Sequence, residues 1–157
     1  MKDFFPLFIS SKGKKALVIG GGKIAARRIL TLLNFKFDIT VVSPSISDEI
    51  QPFINDGSIT YIQREFSEED LLDKFLVIAA TNQREINKRA GERAKELGAY
   101  VSVADVKGEC NFYFPAVIVK DEIVIGVTSE GQSHKLVRNI SNTIREVLHH
   151  ENQSGES

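Results

Sequence analysis

The stretch Lys15-Ala-Leu-Val-Ile-Gly-Gly-Gly-Lys-Ile-Ala-Ala-Arg-Arg28 decides the fold. Residues 16–19 are apolar throughout, the pattern of a short strand buried on both faces. Gly20, Gly21 and Gly22 turn the chain, and Ile24, Ala25, Ile29, Leu32 and Leu33 then recur at helical spacing. Strand, glycine turn and helix make the first half of a βαβ unit. Within it, Gly20-x-Gly22-x-x-Ala25 fits the dinucleotide fingerprint in its form with alanine in third place. Gly20 permits the tight turn, Gly22 lets the backbone approach a pyrophosphate, and Ala25 is small enough for close helix–strand packing. The positive end of the helix dipole faces the anion. Taken alone, the stretch also fits a glycine turn before an ordinary helix.

Before it, residues 5–10 are short and apolar, an edge strand or an arm, followed by a turn over 11–14. After it, residues 38–42 read as the second strand. A dinucleotide fold often ends that strand with an acid for the adenosine ribose. Ser43, Pro44 and Ser45 stand there instead, and Asp48 and Glu49 come a turn later. Ser43 or Ser45 offers a weaker hydrogen bond, and Ser45 or Ser47 suits the cap of the next helix. With no acid and no replacing arginine, the motif alone does not divide NAD from NADP.

A short helix over 46–54, a turn at Asp56-Gly57 and a third strand over 58–63 follow. Ser67, with Asp70 three residues on, starts a helical stretch around Leu71 and Leu72. The apolar run 75–80 predicts a central parallel strand. Thr81 and Asn82 end it, either as part of the sheet's ligand-binding edge or as the cap of a helix over 86–97. That helix carries Ile86, Ala90, Ala94 and Leu97 as its stripe and stops at Gly98. Residues 100–103 are the fifth strand. The alternation predicts an α/β domain, a Rossmann-like doubly wound parallel sheet.

The style changes after Ala104. Residues 105–110 are a polar loop. Residues 112–119 and 122–128 are strand-like and joined at Lys120-Asp121, a connection of hairpin length. A turn over 129–133 opens a helix through Leu136, Val137, Ile140, Ile144 and Leu148, with Ser133 as candidate cap. The expected organisation is a dinucleotide-binding domain over 1–111, a hairpin and helix over 112–148, and a flexible tail over 149–157.

The chain of 157 residues has room for one domain with a small appendage, and 42% hydrophobic residues supply a core. A net charge of −1 argues against a nucleic-acid binder, and no apolar run nears membrane-spanning length. The amino-terminal residues lack the apolar core of a signal peptide. A lone cysteine, Cys110, excludes an internal disulfide framework and fits a reducing cytoplasm.

Asp105 stands just past a strand end, on the same edge as the glycine turn. It is either a general base in a cofactor-lined cleft or a solvated loop aspartate. Cys110 reads as packing rather than a nucleophile. His134, His149 and His150 have no metal-ligand spacing, so no metal site is expected. Lys23, Arg27, Arg28 and Lys36 make a basic face, either solvated or suited to a substrate rich in carboxylates.

Several stretches in order resemble the precorrin-2 dehydrogenase family, the dehydrogenase/ferrochelatase module of siroheme synthases. They are Pro6-Leu7-Phe8, the run from Gly13 through Arg28, Ala79-Ala80-Thr81-Asn82 with Asn87, and Val101-Ser-Val-Ala-Asp105 with Phe112-x-x-Pro115-Ala116. Gly126-Val-Thr-Ser-Glu-Gly-Gln-Ser133, with Leu136 and Arg138, completes the match over residues 5–148. The resemblance implies oxidation of precorrin-2 to sirohydrochlorin with NAD as hydride acceptor, and in some members insertion of ferrous iron. It implies cofactor contacts at Gly20, Gly22, Lys23, Ile24, Pro44, Ser45 and Thr81, to which the strand-end reading adds Ser43, and an essential acid at Asp105. It implies a homodimer built through the region from Phe112 onward, and it places the family's phosphorylatable serine on Ser129.

Departures accompany it. Family modules usually continue for several more helices, and no methyltransferase-like domain follows here, so methylation and iron insertion are expected of other proteins. The turn reads Ser129-Glu130-Gly131 where relatives often have a second glycine, and His134 stands where proline is common. Two other readings stay open: a non-catalytic dinucleotide-sensing module, and a bifunctional enzyme that also inserts iron.

Overall fold

Five parallel strands in the order β3-β2-β1-β4-β5 form the sheet of the computed structural model. The structure describes residues 5–154, with side chains through His149. The described residues divide into two units: Leu7–Phe112, and residues 113–154 together with Phe5 and Pro6. The first unit holds β1 (Lys14–Ile19), α1 (Lys23–Leu32), β2 (Phe37–Val42), α2 (Gln51–Asn55), β3 (Thr60–Ile62), β4 (Leu76–Ala79), α3 (Arg84–Glu96) and β5 (Tyr100–Val103). The second holds the antiparallel pair β6 (Ala116–Lys120) and β7 (Ile123–Val127), and α4 (His134–Ser154).

Burial explains the apolar runs. Side chains of a strand alternate between faces. Leu17 and Ile19 join Val77, Ala79, Val101 and the α3 residues Ala90 and Ala94 in one buried cluster. Ala16 and Val18 point to the opposite face and are equally buried. α1 buries Ala25, Ala26, Ile29 and Leu32. A sheet covered on both faces can be hydrophobic at every position, as residues 16–19 of β1 and all of β4 are. The stripe of α3 differs from expectation. Its buried residues are Asn87, Ala90, Gly91 and Ala94, while Ile86 is half-buried and Leu97 is 40% exposed.

Several expected elements come out shorter or displaced. Residues 5–10 form no strand, and Phe5, Leu7 and Phe8 are exposed. The helix expected over 46–54 is a 3-10 turn at Asp48–Ile50 followed by the short α2. Ser47 sits at the cap position without a side-chain cap bond; its amide donates to the Gly21 carbonyl instead. The stretch after Ser67 is only a 3-10 turn, Glu68–Leu71. Asp70 accepts the Ser67 amide at 2.9 Å, as a capping residue should, but Leu72 is already extended and ends the coil, and Asp73 follows at φ +58°. The hairpin turn falls one residue later than expected, on Asp121-Glu122, with Asp121 at φ +50°. Ser133 does cap α4, accepting the Leu136 amide at 3.2 Å. α4 runs on to Ser154, so helical backbone extends past His149, where the tail was expected; residues 155–157 lie outside the described residues.

The outer edge of β5 is closed by the loop that follows it. The Asn111 side chain accepts from the Val101 amide at 2.6 Å and donates to the Ala99 carbonyl at 3.0 Å. Its own amide donates to the Val101 carbonyl, and Cys110 Sγ accepts from the Val103 amide at 3.2 Å. Two residues thus pair most of the backbone that an edge strand would leave open.

Candidate functional site

The chain crosses from one half of the sheet to the other between β1 and β4, and ligands of such sheets bind outside the strand ends at that switch. A cleft of about 310 Å³ opens there. Its walls are the loops after β1 (Gly20–Gly22), β2 (Ser43, Pro44, Ser45) and β4 (Thr81, Asn82, Gln83). Glu65 and Phe66, after β3, and Ile86 complete it.

The three glycines serve different ends. Gly20 has φ +115°, and a Cβ on it would lie 2.4 Å from the Ala80 carbonyl oxygen. A Cβ on Gly21 would lie 2.0 Å from the Ser45 carbonyl oxygen. Both are required by the fold. Gly22 has ordinary backbone angles and no protein atom within 4 Å of where a Cβ would be. Nothing in the chain demands glycine there, and the space beside it is open. Gly22 caps α1, whose first amides have no partner within the helix. An anion fits that cradle, and the pyrophosphate of a dinucleotide is such an anion. Lys23 and Ile24 are the next two residues, both exposed, with Ile24 46% exposed despite its apolar side chain.

The β2 loop is held firmly. Ser43 Oγ donates to the Ser45 carbonyl at 2.7 Å, and Tyr61 donates its hydroxyl to the Ser43 carbonyl at 2.9 Å. Gln63 reaches the Pro44 carbonyl at 3.3 Å. Thr81 is not the cap of α3, a position that falls to Gln83 without a side-chain cap bond. It lines the cleft, and its side chain also organises the start of α3. Thr81 Oγ1 accepts from the Gln83 amide at 3.1 Å and donates to Asn87 Oδ1 at 2.7 Å. Asn87, fully buried, also accepts the Thr81 amide and donates to the Thr81 carbonyl, each at 3.0 Å.

Asp105 lies on the next loop along, after β5. The Ala104 amide donates to the Ala79 carbonyl at 2.9 Å, which fixes the approach to Asp105 beside the end of β4. Its carboxylate, 36% exposed, stands 3.8 Å from Arg84 Nη1 at the start of α3. Arg84 also hydrogen-bonds and ion-pairs with Glu109.

The expected basic face does not hold together. Lys36 lies at the opposite, amino-terminal edge of the sheet, where its amide meets Ser11 Oγ, because α1 carries the chain back from the cleft before Lys36 is reached. Lys23 and Arg27 are exposed, whereas Arg28 is half-buried, and burial lowers its pKa. Cys110 packs against the core. In the second unit, Ser129 Oγ accepts the Ser133 amide at 2.9 Å. Glu65 and Phe66 were missed by the sequence reading. The rule that selected the ends of β1, β2, β4 and β5 also applies to β3, and would have found them. Among the described residues, no three His, Cys, Asp or Glu side chains converge to hold a metal, and no helix is long and apolar enough to cross a membrane.

A doubly wound parallel sheet with a ligand-ready glycine turn at its switch point defines a dinucleotide-binding α/β protein. The sequence profile of the family described as "Putative NAD(P)-binding" matches residues 7–116. The chain belongs to that family. It is 46% identical over 144 residues to the "Probable multifunctional siroheme biosynthesis protein HemA" of Ruminiclostridium josui, covering 91% of this chain and 28% of that protein. It is 36% identical over 140 residues to the siroheme synthase of Nitrosospira multiformis, covering 87% of this chain and 30% of that protein. It therefore spans less than a third of these relatives. Among solved structures it is similar to "SirC, precorrin-2 dehydrogenase", with a TM-score of 0.76 and 29% identity, over 91% of this chain and 70% of that one.

Proposed function

We propose that this chain oxidises precorrin-2 to sirohydrochlorin, with NAD as hydride acceptor, in the making of siroheme. One observation carries the reading: a glycine turn shaped for a dinucleotide and an acid, Asp105, stand at strand ends on one sheet edge, after β1 and β5, with the end of β4 between them. The names of the relatives supply the substrate. When bound, NAD takes up the hydride that leaves the tetrapyrrole. Gly20, Gly22, Lys23 and Ile24 hold its pyrophosphate side. Ser43, Pro44 and Ser45 receive the adenosine, and Thr81 closes the wall toward the reacting end. Asp105 accepts the proton that leaves with the hydride.

In this reading residues 1–111 bind the cofactor and residues 112–148 join two copies into a homodimer. Leu136, Ile140 and Val147 on α4 support that, being 53%, 43% and 54% exposed in the single chain. The enzyme works in the cytoplasm on a small molecule, with neither nucleic acid nor membrane as partner, consistent with the net charge of −1.

The test is anaerobic turnover of precorrin-2 with NAD, following NADH and sirohydrochlorin together. Coupled formation of both is expected. Asp105→Ala should cut turnover by roughly 10²-fold or more and leave the Kd for NAD unchanged. A chain that binds NAD and never turns over is a sensor module, and the proposal fails.

A further inference from the structure

We infer that Arg84 is a positioning residue for Asp105, shared between that carboxylate and a competing one, Glu109. The inference rests on the role proposed for Asp105. Arg84 is the first residue of α3, and Asn87, three residues on, is fixed to the end of β4 through Thr81. The guanidinium is therefore carried by a turn that is pinned to the end of β4. Its Nη2 hydrogen-bonds Glu109, which stands in the 3-10 turn after β5. Its Nη1 faces Asp105 at 3.8 Å, close enough for an ion pair and too long for a hydrogen bond. Nη1 and the Glu109 oxygen Oε2 are both buried without a hydrogen-bond partner.

Two carboxylates thus face one cation, and each weakens the other's hold on it. The other charged groups at this place are Glu85, beside Arg84 on α3, and Lys107, which opens the turn carrying Glu109. The Glu109 hydrogen bond, then the charges of Glu109, Asp105 and Glu85, raise the pKa of Arg84, so its charge is constant. What varies is how strongly that charge favours ionised Asp105. A cation nearby stabilises the carboxylate and lowers the pH at which it takes a proton. Glu109 works against that by its own negative charge and by drawing the fork toward itself.

The two partners of Asp105 predict shifts of opposite sign. Arg84→Gln should move the Asp105 carboxyl titration, read by ¹³C NMR, upward by roughly one pH unit. Glu109→Gln should move it downward by about half a unit, because the freed fork turns to Asp105. The acid limb of kcat/KM should follow in each case, while the Kd for NAD stays put. The double variant leaves neither charge stranded, and should titrate between the two single ones; it serves if either single variant fails to fold. Arg84→Lys should restore most of the shift. A carboxyl titration unmoved, or moved the same way, in the two variants overturns the inference, as does a rate profile that ignores the shifts. Turnover surviving Asp105→Ala would fail the proposed function instead, and would do so whatever the carboxyl titration shows.

Discussion

The two units of this chain bury themselves to very different degrees. In the sheet unit, β4 is buried at every residue, and residues 16–19 of β1 are at most 1% exposed. In the hairpin unit, Ile118 is the one hydrophobic side chain among the described residues that reaches the buried class. Val119, Ile123, Leu136, Ile140 and Val147 are all more than 40% exposed. The sheet unit closes its core with its own helices. The hairpin unit carries apolar surface that its own residues do not cover, as a surface meant for a partner does.

That contrast can be broken most directly by truncating one apolar residue in each unit. Ile29→Ala removes a fully buried side chain of α1 and should destabilise by about 2–5 kcal/mol. Its effect on the urea midpoint should not depend on protein concentration. Ile140→Ala should cost the single chain little, yet weaken self-association measured by sedimentation. Equal, concentration-independent losses from both would erase the distinction between the units.

Within the sheet unit, Gly20 and Gly22 sharpen it further. Gly20→Ala should cost ~1–3 kcal/mol, from backbone strain and the clash with Ala80. Gly22→Asp should leave the melting temperature nearly unchanged and abolish NAD binding, by calorimetry, through conflict with the pyrophosphate. A large stability loss at Gly22 would show that its space belongs to the fold and not to a ligand. Asn87→Ala strands the amide and carbonyl of Thr81 and should cost about 1–3 kcal/mol by chemical denaturation.

The smallest effect concerns acid. Arg64 grips Asp70 through two hydrogen bonds, at 2.8 and 2.6 Å. That grip, and then the Ser67 amide, hold the Asp70 pKa below its usual value, against the opposing effect of burial. A depressed carboxyl stabilises the fold above its unfolded pKa, near 4, and loses that contribution as pH falls through the folded value. Asp70→Asn should therefore lower the urea midpoint at neutral pH, with the gap to wild type closing toward about pH 3. A gap that stays constant down to that pH would show that the pair adds nothing through charge.

The strands and long helices were legible because their signals are local. The run at 16–19, the run at 75–80 and the stop at Gly98 each declare themselves within a few residues. The short connections were harder. Nothing in Leu71-Leu72-Asp73 announces that Asp73 will take a positive φ, and the pattern over 46–54 did not reveal that its first turn would be 3-10, with the α-helix beginning only at Gln51 beside Pro52. The cleft was legible in outline from the glycines, the serines after β2 and Thr81. Glu65 and Phe66 escaped because the end of the third strand was not searched. The pairing of Arg84 with Asp105 and Glu109 was out of reach, since it joins residues 21 and 25 positions apart through packing of α3 on β5.

Asn111 has a consequence for how copies of this chain can meet. A bare strand at the margin of a sheet invites another chain to extend it, and runaway extension is one route to fibres. Here the margin beyond β5 is already taken by Asn111 and Cys110, and the opposite margin, β3, offers only three residues. Growth through the sheet is blocked at one border and starved at the other. What the sheet leaves for contact with another molecule is side-chain surface, where recognition depends on shape and chemistry and not on open backbone.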